Sequence, residues 1–96
     1  MKKKAIEVSL PVIIFKEGKS YVAYSPALDL STSASTYEKA QKRFTEAVEI
    51  FFDELARMGT TNKVLAELGW QQVKSDWYPP VVVSNCLQPM KLLYNL

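Results

Sequence analysis

The stretch SYVAYSPALDLSTSASTYEKAQKRFTEAVEIFFDELARMG, residues 20–59, decides the fold. Its first part alternates apolar and polar residues, which is typical of β-strands. Pro26 divides the alternation, because proline donates no hydrogen bond to a neighbouring strand. The second part repeats apolar residues every three or four positions, which is typical of a helix with one buried face. Two strands followed by one long helix are therefore predicted.

Working outward, the same alternation predicts strands at residues 6–15, 20–24 and 28–34. Gly18 lies in the turn between the first two, where a short hairpin favours a positive φ. We expect the first strand to be buried on both faces near its end, because its apolar run is continuous there. In the third strand one face is expected to be buried and the other, made of Asp29, Ser31, Ser33 and Ser35, to be exposed.

The long helix is predicted to begin at a capping box and to end at Gly59. Ser35 and Glu38 have the spacing at which the hydroxyl accepts the Glu38 amide and the carboxylate reaches back. Glycine suits the position after a helix, where the chain turns left-handed. Ile50 lies off the apolar stripe, so we expect it to face a partner, while Glu54 lies within the stripe near its end. The stripe itself consists of Tyr37, Ala40, Phe44, Ala47, Val48, Phe51 and Leu55.

Beyond this helix the pattern weakens. A short second helix is predicted at residues 62–68, followed by extended pieces at 70–74 and 81–84 with a loop at 76–80 between them. Residues 87–96 are so apolar that we expect part of them to pack on a second copy of the chain.

These elements together predict one α+β domain over residues 1–96. A three-stranded antiparallel sheet packs on one long helix, with its core in residues 6–58, and a short second helix and an extended C-terminal tail follow. A chain of 96 residues is long enough to bury one core.

The composition argues against enzymes and metal proteins. The chain has no histidine and one cysteine, Cys86. Histidine-dependent nucleophiles and the usual zinc sites are therefore excluded. We expect no enzymatic activity and no cofactor. Cys86 is interpreted as a small apolar residue.

The charge distribution argues against broad nucleic-acid binding. The net charge is +2, but residues 2–4 are three of the 12 basic residues. The nine that remain are outnumbered by the ten acidic residues. Proteins that follow phosphates carry their basic excess on the folded surface. No apolar run approaches the about 20 residues of a membrane helix. Glu7 and Pro11 interrupt the run that would resemble a signal peptide. A soluble, cytoplasmic protein is expected.

Three weaker patterns have simpler structural readings. Glu7, Asp29 and Glu38 are candidate ligands of a hydrolytic metal site, against the reading as solvated acids. The residues Trp70, Trp77 and Tyr78 near Lys74 suit base stacking, but aromatics beside prolines more often hold a tail on a core. The serine and threonine cluster at residues 25–36 lacks a general base and is read as exposed strand residues and a helix cap.

Two motifs resemble the HicB antitoxin family: Tyr21-Val22-Ala23-Tyr24-Ser25-Pro26-Ala27-Leu28 and, after a polar strand, Thr36-Tyr37-Glu38-Lys39-Ala40. In that family a hairpin strand ends in an aromatic-x-Pro corner, a third strand follows, and a Gly-x-Thr-x-x-x-Ala stretch opens the helix. The likeness covers residues 8–58. Two positions depart from the family pattern: Ala34 replaces the glycine, and Asp29-Leu30-Ser31 stands where Pro-Gly-Cys is often found.

The resemblance implies a partial ribonuclease H-like fold without that enzyme's carboxylates. It also implies a HicA-like, messenger-RNA-cleaving toxin as the partner, neutralised by protein–protein contact. The motif positions make Tyr24, Ser25, Pro26 and Asp29 the candidate contact residues. Many relatives bind operator DNA through a C-terminal segment, but the region from Trp70 onward shows no helical pair and little basic charge. Two alternatives remain: a solitary, homo-oligomeric scaffold or regulator, and a metal-dependent hydrolase.

Overall fold

A meander of three strands packs against one long helix in the computed structural model, which describes residues 7–95. The predicted α+β class is confirmed. The basic residues 2–4, the predicted strand start at Ile6 and the final Leu96 lie outside the described residues. The elements are β1 Ile13–Glu17, β2 Ser20–Ser25, β3 Leu30–Ala34, α1 Tyr37–Met58, α2 Thr61–Glu67, β4 Gln71–Val73 and β5 Asp76–Tyr78.

The sheet is antiparallel with the order β1-β2-β3, so β2 is central. Ile14 pairs with Ala23, and Ala23 pairs with Thr32, which places these three side chains on the face towards α1. The positive φ of 62° at Gly18 confirms the predicted turn. The predicted alternation in the third strand is confirmed over residues 30–34, where Ala34 is buried while Ser31 and Ser33 are exposed, but the strand begins at Leu30 rather than at Leu28, because residues 26–29 form the turn that begins at Pro26.

The predicted burial of both faces of the first strand is wrong. Ile13 and Phe15 are 42 % and 45 % exposed, because they point away from the helix and no second layer covers that face within the described chain. Residues 7–12 form no strand, so β1 begins at Ile13 rather than at the start of the apolar run. Pro11 interrupts that run and has no amide hydrogen for a ladder.

Helix α1 begins one residue later than the capping box predicts. Thr36, not Ser35, is the cap, and its Oγ1 accepts a hydrogen bond from the Lys39 amide at 3.1 Å. With this cap the third helical residue is Lys39, so Glu38 has no place in a reciprocal box. The predicted end at Gly59 is confirmed by its φ of 67°, and the amide of Gly59 closes onto the Ala56 carbonyl.

The helix and the sheet meet through small residues. Ala23, Ala34 and Ala40 surround Phe44 and are buried with it, so the helix backbone lies close to the strands. The stripe prediction holds for Ala40, Phe44 and Leu55, whereas Tyr37 at the first turn is half exposed. Glu54 is exposed and pairs with Arg57 one turn later, and Ile50 is 68 % exposed.

A second buried cluster joins the strand corner to the residues after α1. Ala27, Leu28, Leu65 and Trp70 form its centre, and Phe52 of α1 packs against them. The rings of Phe52 and Trp70 meet edge to face, with centroids 6.1 Å apart and an angle of 70° between their planes.

The second helix lies within one residue of its prediction, but the extended pieces differ. The predicted loop at 76–80 instead contributes β5, which pairs with β4 through a two-residue turn at Lys74 and Ser75. The residues predicted as extended at 81–84 form no strand. A β-branched run needs a neighbouring strand to complete its hydrogen bonds, and residues 81–84 have none within the described chain.

Within residues 7–95 no helix is long and apolar enough to cross a membrane.

Replacing Gly59 by alanine tests the helix end. No atom lies within 4 Å of the added Cβ, so any loss comes from the left-handed backbone itself. We expect the free energy of unfolding of Gly59→Ala to fall by about 1 kcal/mol in urea titrations. Gly59→Asn should lose less, because asparagine tolerates this backbone region better. Equal stability of the alanine variant and the parent would contradict this account.

Candidate partner-binding surface

The chain reverses between β2 and β3 in a short corner, residues 25–30. Ser25 pairs with Leu30, and Pro26 follows immediately, where its lack of an amide hydrogen ends the strand. Ala27 and Leu28 turn inward and are buried, while Pro26 and Asp29 stay exposed. The corner thus presents Pro26 and Asp29 to solvent on either side of a buried pair.

Trp70 holds the corner from the side of the core. Its indole Nε1 donates a hydrogen bond of 2.8 Å to the Ala27 carbonyl, and the ring is buried. The bond joins residues 43 positions apart in the chain. Since an unpaired buried carbonyl is costly, this contact holds the backbone of the corner in one conformation.

On the solvent side of the corner, Tyr24 and Asp29 are joined by a hydrogen bond. The Tyr24 hydroxyl donates to Asp29 Oδ1 at 3.0 Å. Asp29 has a φ of 49°, the left-handed region, which aspartate tolerates better than most residues. The hydrogen bond to Asp29 raises the pKa of Tyr24 above its ordinary value of about 10, helped by partial desolvation and by the carboxylate charge.

The structure brings three of the four predicted contact residues to the surface. Pro26 and Asp29 are exposed and Tyr24 is half-buried, whereas Ser25 is 0 % exposed. Ser25 follows Tyr21 and Ala23 in the alternation of β2, so its side chain faces the core. Its Oγ is buried without a hydrogen-bond partner among the described residues. Ser25 shapes the corner rather than its outer surface in this conformation.

The outer face of the sheet continues the surface beyond the predicted residues. Ile13 pairs with Tyr24, and Phe15 pairs with Val22, so these four side chains share the face away from α1. Sequence reasoning missed Ile13 and Phe15 because it took the apolar run as buried on both sides. Pairing across a two-residue turn at residues 18 and 19 would have set Ile14 opposite Ala23, and so placed Ile13 and Phe15 on the outer face.

The other candidate sites lose support from their surroundings. Within residues 7–95 no three acidic or cysteine side chains gather as a metal site, and Asp29 accepts the Tyr24 hydroxyl. Trp70 is buried, which confirms the prediction that it packs on the core. Its ring is therefore not available to stack on a nucleic-acid base. Trp77 is half-buried and donates to Asn62 Oδ1 at 3.2 Å. Cys86 is an exposed free thiol, not a core residue.

Comparison of the chain with protein-family models, with curated proteins and with solved structures finds no match. The likeness to HicB proteins rests on the two motifs and on the order of the elements.

Replacing Trp70 by phenylalanine tests the clamp. The ring is largely kept but the Ala27 carbonyl loses its donor, so the free energy of unfolding should fall by about 1–3 kcal/mol. Trp77→Phe, which removes a more exposed bond to Asn62, is the matched control and should cost less than about 1 kcal/mol. Urea unfolding measures both losses. Equal losses would show that the bond to Ala27 stabilises the fold no more than the bond to Asn62 does.

Titration of Tyr24 tests the contact with Asp29. The difference in tyrosinate absorbance between the parent and Tyr24→Phe isolates this one phenol, and its midpoint should lie above about 10. Asp29→Gly fits the left-handed backbone but removes the acceptor and the charge, so the midpoint should fall towards the ordinary value. The raised pKa favours the neutral phenol, so the stability that the contact adds is present below pH 10 and is lost as the pH rises through the Tyr24 midpoint. A midpoint that Asp29→Gly leaves unchanged would exclude Asp29 as the cause.

Proposed function

We propose that this protein is a HicB-like, antitoxin-type binding module that neutralises a HicA-like, messenger-RNA-cleaving toxin by direct contact. It makes and breaks no bond of its own, in keeping with the lack of histidine. Because such a toxin acts on messenger RNA, the proposed place of action is the cytoplasm. The order of three antiparallel strands followed by a long helix supports the proposal, since it agrees with what the family resemblance implies.

One observation carries the proposal: the corner is held in place before any partner arrives. The Trp70–Ala27 bond fixes its backbone, and the Tyr24–Asp29 bond fixes its exposed carboxylate. A surface that is already ordered loses less conformational entropy on binding, so its few contacts yield more affinity. Rigid presentation of Pro26 and Asp29 is what a surface-blocking inhibitor requires.

The charge of the corner suits the proposed partner. A protein that cleaves RNA needs a basic surface to hold phosphates. Asp29 offers an exposed carboxylate whose orientation is set by Tyr24, and charge-assisted contacts to arginine or lysine are the stronger class of hydrogen bond. In the proposed complex the carboxylate meets the basic residues that would otherwise hold an RNA phosphate.

A second function has an observation in its favour. A solitary, self-associating regulator with no toxin partner would use the apolar residues 87–95, whose large apolar side chains are exposed. This alternative predicts homo-oligomers that retain no small basic protein.

The test is a search for a small basic protein, encoded beside this chain or retained with it in co-purification, and measurement of binding between the two. We expect the two to co-purify and the RNA cleavage by the partner to stop when the two are present in equal amounts. Asp29→Asn keeps the left-handed preference and an acceptor for Tyr24 but removes the charge, so the affinity should fall about tenfold or more. Glu49→Gln, an equal change of charge on the exposed face of α1, should alter it less than about threefold.

Two outcomes overturn the proposal. The first is a homo-oligomer that binds no neighbouring protein and leaves RNA cleavage untouched, which would favour the regulator. The second is equal loss of affinity in both variants, which would mean that overall charge rather than the corner governs binding.

A further inference from the structure

Residues 81–95, here called the tail segment, carry apolar side chains that the described chain leaves uncovered. Val83, Leu87 and Leu93 are 95 %, 100 % and 96 % exposed. Among residues 7–95 no backbone hydrogen bond involves this segment. The radius of gyration is 16.3 Å, against about 12–13 Å for a compact chain of this length. An apolar extended segment gains free energy by burial, so it requires a surface to cover it.

Strand β1 offers such a surface at an open edge. The sheet order leaves one side of β1 without a neighbouring strand in the described chain. Its outward side chains Ile13 and Phe15 are half exposed and lie beside Tyr24 and Val22. An open edge presents amides and carbonyls to any added strand.

The opposite edge of the sheet is chemically different. Strand β3 exposes Ser31 and Ser33 on its outward face, and the Ser33 carbonyl already accepts a hydrogen bond of 3.1 Å from Arg43 on α1. An apolar strand therefore gains more by adding to β1 than to β3.

The tail segment leaves the body beside β1. One groove is lined by residues 11–13, by Pro26 and Ala27, and by residues 80–85. Residues 86–95 extend about 33 Å at the usual rise of a strand, about twice what a five-residue strand spans. Around a two-fold axis next to this groove, each tail starts beside the strand that accepts the other tail, so the exchange is reciprocal.

We infer that two copies of this chain form a dimer in which residues 90–94 of each add as a strand to the free edge of β1 in the other. Pro89 has no amide hydrogen, so the pairing begins after it, and five residues then match the five of β1. Alternation puts Met90, Leu92 and Tyr94 on the face of Ile13 and Phe15. Lys91 is the one charged residue of the tail segment, so few charges oppose burial.

The area of the contact is sufficient for a stable dimer. The tail segment carries eight large apolar side chains that are at least half exposed. Four of them, Met90, Leu92, Leu93 and Tyr94, lie in the added strand, and if these are covered, at about 60–120 Å² each, the two tails and the surfaces beneath them bury roughly 1,000–1,900 Å² in all. Specific stable interfaces bury about 1,200–2,000 Å². A second copy thus accounts for the exposed tail without any other component.

Complementation between two defective variants tests the exchange. A variant that ends at Gln88 keeps the accepting strand but has no strand to donate, and Phe15→Asp keeps the donor but places a carboxylate on the acceptor. In light scattering and native mass spectrometry we expect the parent at twice its 10.9 kDa, and each variant alone as a monomer. Mixed together, the two variants should form a 1:1 complex that is weaker than the parent dimer, because one of its two exchanges is missing.

Controls separate this result from misfolding and from another interface. Circular dichroism should show parent-like folding of both variants, since Phe15 is half exposed and the tail makes no backbone bond to the body. Ile50→Asp, at an apolar residue of α1 that is even more exposed than Phe15, should remain dimeric. The inference fails if the parent is monomeric, if the truncated variant still dimerises, if the mixture yields no complex, or if Ile50→Asp alone dissociates the dimer. Toxin binding through the corner is measured separately and stands or falls independently.

Discussion

The hydrogen bond from Trp70 to the Ala27 carbonyl is the contact on which the rest of this structure depends. It joins the corner between β2 and β3 to Trp70, three residues beyond the end of α2, and so closes the second buried cluster. Without it the corner would leave a buried carbonyl unpaired. This bond fixes the backbone that displays Pro26 and Asp29, although neither residue takes part in it, and the bond from Tyr24 then orients the Asp29 carboxylate.

Helix-capping and strand-alternation rules predicted correctly those features of the fold that depend only on residues close in sequence. The end of α1 follows from the backbone freedom of Gly59, and the exposed face of β3 follows from strict alternation. The cap was misplaced by one residue because Ser35 and Thr36 are both good caps, and packing of Ala40 and Phe44 decides between them. Such a choice depends on tertiary contacts that no short window of sequence contains.

The remaining errors have related causes. The β4–β5 hairpin turns at Lys74, whose φ of 60° carries no glycine or asparagine signal in the sequence. Residues 81–84 have strand propensity but no strand to pair with in the described chain. At the corner, the family likeness made Ser25 a candidate contact residue, yet the alternation that puts Ala23 inward already required Ser25 to be buried as well. The role of Trp70 in holding that loop needed a contact 43 residues away.

The two proposed contacts use different parts of one small domain. The corner presents a polar, charged group on a fixed backbone, which suits a basic partner that must be recognised and released. The β1 edge presents apolar side chains and open backbone groups, which suits a permanent association. Tyr24 lies between the two surfaces, since it pairs with Ile13 across the strands and donates to Asp29.

The left-handed backbone of Asp29 has an evolutionary consequence. Glycine would adopt that conformation with less strain, but it would lose the hydrogen bond from Tyr24. Backbone strain and this contact therefore act on residue 29 in opposite directions. If the carboxylate also meets the proposed partner, glycine at residue 29 would mark a lineage that has lost this contact.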